Sequence, residues 1–281
     1  MIFSGSGLGF SLAGLFVGAA VGATGVGGGS LMTPILIVFY GISPAMAVGT
    51  DLLYASLSKA FGVTLHGKNG SVDWAIVAWL SAGSVPATLV TLYLLDGVGH
   101  TAGLDRLIKL TLSGAIIVTA LFTLFQGIIN SRLRLDRVRR ELKPNLQCGL
   151  TLAAGLLIGC VVTISSVGAG AIGMMLLLLL YPKHAPIRIV GSDLAHAVLI
   201  TAIAGIGHAR LGSVDYSMLL WLLVGALPGI WIGSRVGFRL DPKTLKRAIA
   251  GILIVVGCMT LAKALEVGAP GAQQKAVTLA R

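Results

Sequence analysis

Two aspartates stand inside strongly apolar stretches of this chain, each in the same short context. Asp51 follows Gly-Thr, and Asp193 follows Gly-Ser. An ionised carboxylate in hydrocarbon is costly unless it is paired, protonated or hydrated, so an acid in such a place is a functional candidate by default. A carboxyl group there can take up and release a proton, and the preceding Thr50 or Ser192 hydroxyl can donate a hydrogen bond to a bound solute.

Two further ionisable side chains accompany these acids. His196 follows Asp193 by three residues and therefore shares its helical face. Lys59 lies within an apolar segment, where it can pair with an acid or extend to the inner membrane interface. We predict that Asp51, Asp193, His196 and Lys59 form a proton-coupling group. The alternative is structural, with each acid hydrogen-bonded to neighbouring backbone.

Glycine clusters interrupt two long apolar segments, at 8–40 and 147–181. As single helices these would be about 50 Å long, against ~30 Å of hydrocarbon. Backbone that is not helical inside a membrane must line a cavity or be buried in protein. A half-helix that begins at such a break directs N–H groups and a positive dipole end into the cavity, which makes an anion site without a buried cation. The predicted substrate-binding residues are Thr24, Gly25, Gly27, Gly28, Gly29, Ser30 and Thr50 in the first half, and Ser165, Ser166, Gly168, Gly170 and Ser192 in the second.

Glycine also permits close packing of membrane helices, and this role suits Gly14 and Gly18 with their counterparts Gly155 and Gly159. For the cluster at 25–29 we favour binding over packing. Two other kinds of residue are expected at helix ends. His66 and His208 are predicted as C-terminal caps, and Asp73 and Asp215 as acids at helix N-termini.

Residues 14–86 and 155–228 are interpreted as two copies of one unit. The copies align with a shift of 141 residues, which becomes 142 after one insertion. Apolar composition alone does not match Asp, His and Pro in one register, so the sequence indicates a duplication. The paired positions include Gly14 and Gly155, Tyr40 and Tyr181, Asp51 and Asp193, His66 and His208, Asp73 and Asp215, and Pro86 and Pro228.

The composition is that of an integral membrane protein. The chain is 56% hydrophobic and 11% charged, whereas soluble domains carry about 25% charged residues. The net charge of +11 does not indicate nucleic acid, because most Lys and Arg residues fall in loops beside apolar segments, as cytoplasmic membrane loops do. No metal-binding or nucleotide-binding motif is present, so no cofactor is expected.

The loop charges favour one topology. Besides the two long segments, apolar stretches run at 44–65, 73–95, 106–129, 186–207, 214–235 and 245–265. If both long segments are hairpins that enter and leave on one side, 15 of the 21 Lys and Arg residues lie on the cytoplasmic face; if each crosses once, only 12 do. Since Lys and Arg collect on that face, we favour hairpins, an inverted second half and both termini outside.

The predicted fold is therefore an all-α integral membrane protein of two inverted-topology repeats, each a glycine-broken helical hairpin plus three transmembrane helices. The first repeat covers 1–129 and the second 147–281. Between them, 130–146 is predicted to be a basic cytoplasmic linker. The three parts form one membrane domain.

Several motifs resemble the TauE/SafE family of sulfite and organosulfonate exporters, also called TSUP. They are GATGVGGGSLMTPIL, the Gly-Thr-Asp helix that follows a proline, the Gly-x-Val-Asp-Trp turn and the degenerate second copy. The second copy departs from the first, with Ala169 at the place of Gly28 and Met175 at the place of Pro34. The resemblance covers nearly the whole chain.

The resemblance implies a permease of the cytoplasmic (inner) membrane of a bacterium or archaeon. Its substrates would be small sulfur-containing anions such as sulfite, sulfoacetate or similar sulfonates. We expect a multi-pass secondary transporter with proton-coupled export, whose partners are the small anionic substrate and the lipid bilayer, with no nucleic acid. The oligomeric state is open.

Two other functions are weighed. A passive anion channel would conduct without a proton gradient. An intramembrane aspartyl protease would use the two Gly-x-Asp units as catalytic acids, but the duplication alone explains them and no Tyr-Asp partner is present. No catalytic residue is therefore predicted.

Overall fold

The computed structural model of the protein describes residues 7–24, 29–66, 72–98, 101–136, 143–236 and 242–266. In this part of the chain every regular element is an α-helix. The termini and the basic stretch at 137–142 lie outside the described residues, and so do Gly25, Gly27 and Gly28. The helices are α1 (Gly7–Thr24), α2 (Gly29–Val38), α3 (Pro44–His66), α4 (Trp74–Val98), α5 (Ala102–Asp136), α6 (Pro144–Ser165), α7 (Ala171–Leu180), α8 (Pro186–Arg210), α9 (Tyr216–Val236) and α10 (Pro242–Glu266).

Local chemistry explains where the helices begin. Four of them start at a proline, whose missing N–H has no intrahelical partner at that position anyway. Asp73 and Asp215 precede α4 and α9, and their carboxylates accept N–H groups of the first turn, from Ala75 at 3.1 Å and from Met218 at 2.9 Å. Both acids are therefore N-terminal caps, as the sequence predicts. The prolines are Pro44, Pro144, Pro186 and Pro242.

Helix α8 ends on its own backbone rather than on a histidine side chain. The Ser213 N–H donates to the His208 carbonyl at 3.0 Å and the Gly212 N–H to the Ala209 carbonyl at 3.1 Å, with Gly212 at φ +70°. This is a Schellman ending, which satisfies the last carbonyls. The expected capping role of the His208 side chain is therefore wrong. The side chain of His66 lies outside the described residues.

Each of the two long apolar segments consists of two helices. The Tyr40 hydroxyl, just beyond α2, donates to the Gly9 carbonyl near the start of α1 at 2.7 Å. In the second half, the Gln147 amide near the start of α6 donates to the Leu180 carbonyl at the end of α7, also at 2.7 Å. In both places the chain therefore returns to the end at which it entered.

The two arms of each of these segments are unequal in length. Helix α6 has 22 residues and α7 has 10, or about 33 Å and 15 Å at 1.5 Å per residue. By length and composition α6 could cross a membrane, whereas α7 is too short. Within the described residues five helices meet that condition, at Trp74–Val98, Gly103–Phe125, Pro144–Ser165, Ile187–Arg210 and Tyr216–Arg235.

Glycines bring two pairs of helices into backbone contact. A Cβ on Gly14 or Gly18 of α1 would overlap backbone of α9, and a Cβ on Gly155 or Gly159 of α6 would overlap backbone of α4. Close approach through small residues compensates for the missing hydrophobic drive between helices in lipid. This confirms the packing role of the four glycines. Each hairpin thus packs on a helix of the other half.

Helices α3 and α8, which carry the two aspartates, lie side by side in the centre and run in opposite directions. The Ser56 hydroxyl donates to the Val198 carbonyl at 3.3 Å. Gly205, seven residues after Val198, packs on Leu53, three residues before Ser56. The sense of the contacts shows the antiparallel arrangement. The beginning of α3 therefore lies beside the end of α8.

The outward faces of α4 and α9 are strongly apolar, as lipid contact requires. Tyr93 is 79% exposed and Leu220 is 65% exposed. Trp74 and Tyr216, which begin these two helices, are also exposed, in keeping with aromatic anchors at a membrane interface. The protein is therefore a multi-pass helical membrane protein. Helix α5 continues to Asp136, so the first part of the stretch 130–146 is helical.

We expect Gly225→Ala, and equally Gly83→Ala, to destabilise the protein by about 1–3 kcal/mol, the usual cost of overpacking. The added methyl group would overlap the Ser11 carbonyl in one case and the Leu152 carbonyl in the other. Thermal unfolding in detergent measures the effect. Gly114→Ala in α5 is the matched control, because nothing lies within 4 Å of that position. Equal melting temperatures for Gly225→Ala and Gly114→Ala would contradict the packing described here.

Candidate functional site

The second helix break has a backbone that glycine makes possible. Beyond the end of α6, Ser166 adopts the left-handed conformation at φ 58°, and Gly168 and Gly170 follow at φ 114° and 129°. Residues with a side chain rarely adopt the φ angles found at Gly168 and Gly170. The Ser165 hydroxyl accepts the Val167 N–H at 3.2 Å and donates to the Val161 carbonyl at 2.7 Å. It therefore supports the break rather than lying free for a substrate.

Lys59 donates from its ammonium Nζ to the Ala169 carbonyl at 2.6 Å, so a cation of the first half meets the broken backbone of the second. The side chain is only 4% exposed. It does not extend to the interface, and the second break therefore has a buried cation beside it. Asp51 and Asp193 lie near enough for their charges to act on this ammonium, and opposite charge nearby offsets part of the cost of burying it.

Asp51 is fully buried between α2 of its own half and the break of the other half. Its Oδ2 accepts a short hydrogen bond from the Thr33 hydroxyl. Ser166 lies close enough to interact with the same carboxylate, but the Ser166 hydroxyl and Asp51 Oδ1 complete no hydrogen bond in the structure. Buried polar atoms without partners are rare and call for an explanation such as a bound ligand or proton.

Asp193 lies against the first turn of α7. It is 4% exposed, and its Oδ1 also has no hydrogen-bond partner. A Cβ on Gly173 would overlap this oxygen, so only glycine at position 173 allows the carboxylate to approach so closely. The duplication could not reveal Gly173, because the equivalent position of the first half is Met32.

Tyr54 and Ser58 complete a polar face of α3. Both are buried, and their hydroxyls lie close enough to interact with each other, but neither hydroxyl completes a hydrogen bond in the structure. Neither residue was predicted as part of the site, although they follow Asp51 by three and seven residues and therefore share its helical face. We call the group of Thr33, Asp51, Tyr54, Ser58, Lys59, Ser166, Ala169 and Asp193 the central cluster.

Thr50 and Ser192, predicted to bind substrate, are engaged elsewhere. The Thr50 hydroxyl accepts the Asp215 N–H at 3.0 Å, and the Ser192 hydroxyl accepts the Asp73 N–H at 2.8 Å. Ser192 also donates to the Arg188 carbonyl at 2.8 Å. These hydroxyls therefore join the two halves, at positions adjacent to the two buried acids.

Two histidines that are buried in the described part of the chain make contacts between helices. His196 Nε2 lies 2.8 Å from the Ser84 hydroxyl of α4, and His208 Nε2 lies 2.9 Å from the Thr163 carbonyl of α6. His196 is 1% exposed. No direct bond joins it to Asp193 among the described contacts, although the sequence spacing suggested one face.

The first break contributes less to the description. Gly29 forms the first residue of α2, but the side chains of Thr24 and Ser30 lie outside the described residues, as do Gly25, Gly27 and Gly28. Of the predicted site residues, the structure brings Asp51, Lys59, Asp193 and Ser166 together around the second break. Gly168 and Gly170 shape this break.

The central cluster combines a cation, two acids and several free hydroxyls within one buried region. Such a set can bind a small oxyanion through charge-assisted hydrogen bonds. It can also hold protons on its carboxyl groups. Among the described residues, no three His, Cys, Asp or Glu side chains converge as a metal site would require.

Helical spans around a buried polar centre are typical of membrane transporters, and comparison with known proteins agrees. The family described as sulfite exporter TauE/SafE matches residues 10–260, so the chain belongs to the TauE/SafE sulfite exporter family. The protein is accordingly a membrane transporter and not an enzyme, which sets aside the protease alternative.

Several relatives are transporters by name. The chain is 37% identical to the probable membrane transporter protein YjnA of Bacillus subtilis over 251 residues, which are 88% of this chain and 96% of that one. It is 26% identical to the probable membrane transporter protein YdhB of the same organism, over 87% of this chain and 96% of the relative. The probable membrane transporter protein MJ0441 of Methanocaldococcus jannaschii is 23% identical, with 89% and 93% covered. No solved structure matches the chain significantly.

We expect Lys59→Met to destabilise the protein by about 3–5 kcal/mol, because it leaves two buried acids without their cation. Thermal unfolding in detergent measures the loss. Lys109→Met on α5 is the matched control and should cost less than about 0.5 kcal/mol.

A double variant, Lys59→Met with Asp193→Asn, should unfold at a higher temperature than Lys59→Met alone, since it removes one of the uncompensated carboxylates. If Lys59→Met is as stable as the wild type, the cation does not hold the central cluster together.

Proposed function

We propose that this protein is a secondary transporter that carries small sulfur-containing anions, such as sulfite, sulfoacetate or a similar sulfonate, across the cytoplasmic membrane of a bacterium or archaeon, and that export is coupled to protons. The observation that carries the proposal is the Lys59 ammonium, buried at the second helix break beside hydroxyl groups without partners. A buried cation with neighbouring free donors is suited to an oxyanion.

The donor set matches a tetrahedral or pyramidal oxyanion. Lys59 has three N–H donors, of which one is used on the Ala169 carbonyl, so two remain for a solute. The Ser166 and Tyr54 hydroxyls add donors. The first turn of α7, where no side chain caps the helix, adds the positive end of a helix dipole.

The first break is the proposed counterpart, through Thr24, Gly25, Gly27, Gly28, Gly29 and Ser30. Thr33, one turn into α2, already reaches Asp51 in the central cluster. The hydrogen bond from Tyr40 to Gly9 joins the C-terminal end of α2 to the start of α1. The N-terminal end of α2, which begins at Gly29, therefore lies at the opposite end of that helix. This geometry supports a contribution of the first half to the same binding site.

We also propose that the two halves are inverted repeats. Helices α3 and α8 occupy equivalent positions in the duplication and pack antiparallel. The packing of α1 on α9 is repeated by that of α6 on α4. The hydrogen bond from Asp215 to Thr50 is repeated by that from Asp73 to Ser192. Such exchange of partners is expected of a pseudo-twofold axis in the membrane plane.

The proposed orientation puts the turns α3–α4 and α7–α8 in the cytoplasm and both termini outside. The His184 ring lies 3.5 Å from the Asp73 carboxylate, which places these two turns at one end of the protein. The same end carries Lys183 and Arg188. The rule that basic residues collect on the cytoplasmic side supports this assignment.

Electrostatics determines how a proton would be linked to the anion. Protonation of Asp51 or Asp193 removes a negative charge beside the site, so it strengthens anion binding, and by reciprocity the anion strengthens proton binding. Proton and anion would therefore move in the same direction. In export, the proton leaves with the anion, and transport of a monovalent anion carries no net charge.

Binding to purified protein tests the substrate class. We expect sulfite or sulfoacetate to raise the melting temperature in detergent, because a ligand that binds only the folded state stabilises it. Taurine, whose amine cancels the net charge, should have a smaller effect. Lys59→Arg keeps the charge and should retain part of the shift, whereas Lys109→Met should retain all of it. If none of the sulfur anions raises the melting temperature, the proposed substrate class is wrong.

Asp51→Asn and Asp193→Asn should each lose the proton movement that accompanies anion efflux from preloaded vesicles. The wild type should acidify the outside as the anion leaves, at a rate that does not depend on membrane potential. A pH-sensitive dye outside the vesicles measures this. Asp105→Asn, in the first turn of α5, is the control. Unchanged rates and unchanged pH dependence in both variants would exclude proton coupling, and potential-driven flux without protons would indicate a channel.

A further inference from the structure

Two of the hydrogen bonds that join the halves lie at opposite ends of the protein. The Thr50–Asp215 bond lies where α3 begins and α8 ends. The Ser192–Asp73 bond lies where α8 begins, beside the turn that follows α3. We call them the Thr50 link and the Ser192 link. The central cluster lies between them, and its members are all buried.

Each link joins a helix that carries a buried acid to the first residue before a helix of the other half. Thr50 precedes Asp51, and Ser192 precedes Asp193. The donor in each case is the backbone N–H of an N-terminal cap, Asp215 for α9 or Asp73 for α4. Separation of the start of α9 from α3 would therefore expose the neighbourhood of Asp51, and separation of the start of α4 from α8 that of Asp193.

A pocket lies at the end that carries the Thr50 link. Its volume is about 90 Å³, and its walls include Ala45 of α3, His208 of α8 and Ser213 of the following turn. Gly49 packs closely against two of these wall residues, because a Cβ there would overlap the Ser213 carbonyl and come 3.1 Å from His208 Cβ. One residue further along the chain is Thr50.

The two links have different supporting contacts. At the Ser192 link, the Asp73 carboxylate also meets His184 at 3.5 Å, and Ser192 is held in place by its bond to the Arg188 carbonyl. At the Thr50 link, the neighbouring contact is the close packing of Gly49 in α3 on the Ser213 carbonyl.

We propose that the Thr50 link and the Ser192 link are the two gates of the transport cycle, that the present structure has both closed, and that the pocket is the vestibule of the Thr50 gate. The proposal rests on the proposed transport function and adds the residues that control access. Thr50 and Ser192 act as positioning residues, because their hydroxyls hold α9 and α4 and do not contact the substrate.

Thiol labelling measures access to the central cluster. The reporter is Ser166→Cys, placed in a chain in which Cys148, Cys160 and Cys258 are replaced by serine. A membrane-impermeant maleimide is added to vesicles of either orientation, in the absence of any anion. Thr50→Val should raise labelling from the face of the Thr50 link about fivefold, the population change that corresponds to one hydrogen bond of typical net strength. Ser192→Ala should raise labelling from the opposite face.

The controls separate gating from loss of structure. Thr201→Val on α8 removes a buried hydroxyl that bonds only within its own helix, and it should leave labelling from both faces unchanged. Thr50→Ser retains the acceptor and should label as the wild type does. Gly49→Ala should push α3 away from Ser213 by steric overlap and should therefore raise labelling from the same face as Thr50→Val. This variant provides a second test if Thr50→Val does not fold.

Labelling that rises from the same face in Thr50→Val and Ser192→Ala, or that rises no more than in Thr201→Val, would overturn the proposal. Labelling needs no substrate. A failure of sulfur anions to bind would therefore contradict only the proposed function. Labelling that rises from the same face in both variants would contradict only the proposal that the two links are gates.

Discussion

The hydrogen bond from the Lys59 ammonium to the Ala169 carbonyl solves two problems with one contact. A helix that stops inside a membrane leaves carbonyl groups that lipid cannot satisfy. An ammonium buried in the same place needs acceptors and opposite charge. The broken backbone supplies the acceptor, and Asp51 and Asp193 supply the charge. The break and the ionisable groups therefore depend on one another.

This dependence crosses the boundary between the halves. Lys59 belongs to the first half, and Ala169 with Asp193 belongs to the second, so the central cluster exists only where the halves are packed together. Glycine contacts hold α1 against α9 and α6 against α4 through backbone. Helices α3 and α8 meet through fewer such contacts. A displacement of one glycine-packed pair would therefore change access to the cluster while leaving both pairs intact.

The helices and the two buried acids could be predicted from patterns in the sequence. The contacts between the two halves could not. Apolar stretches of membrane-spanning length indicated most of the helices, and the repeated Gly-Thr-Asp and Gly-Ser-Asp units identified both acids. The burial of Lys59 against Ala169 could not be predicted, because 110 residues separate them. Thr50 and Ser192 were assigned to substrate since hydroxyls suit anions, but their partners are cap N–H groups of distant turns. Tyr54 and Ser58 were within reach of helical spacing from Asp51 and were overlooked.

The most direct test of the account is the position of an anion in a crystal of the protein soaked with selenite, whose selenium atom replaces the sulfur of sulfite and scatters anomalously. The account predicts an anomalous peak within about 4 Å of the Lys59 ammonium, in contact with Ser166 and the start of α7, since charge-assisted hydrogen bonds are short. A peak elsewhere in the membrane region, with Lys59 still bonded only to Ala169, would show that the buried cation serves the fold alone.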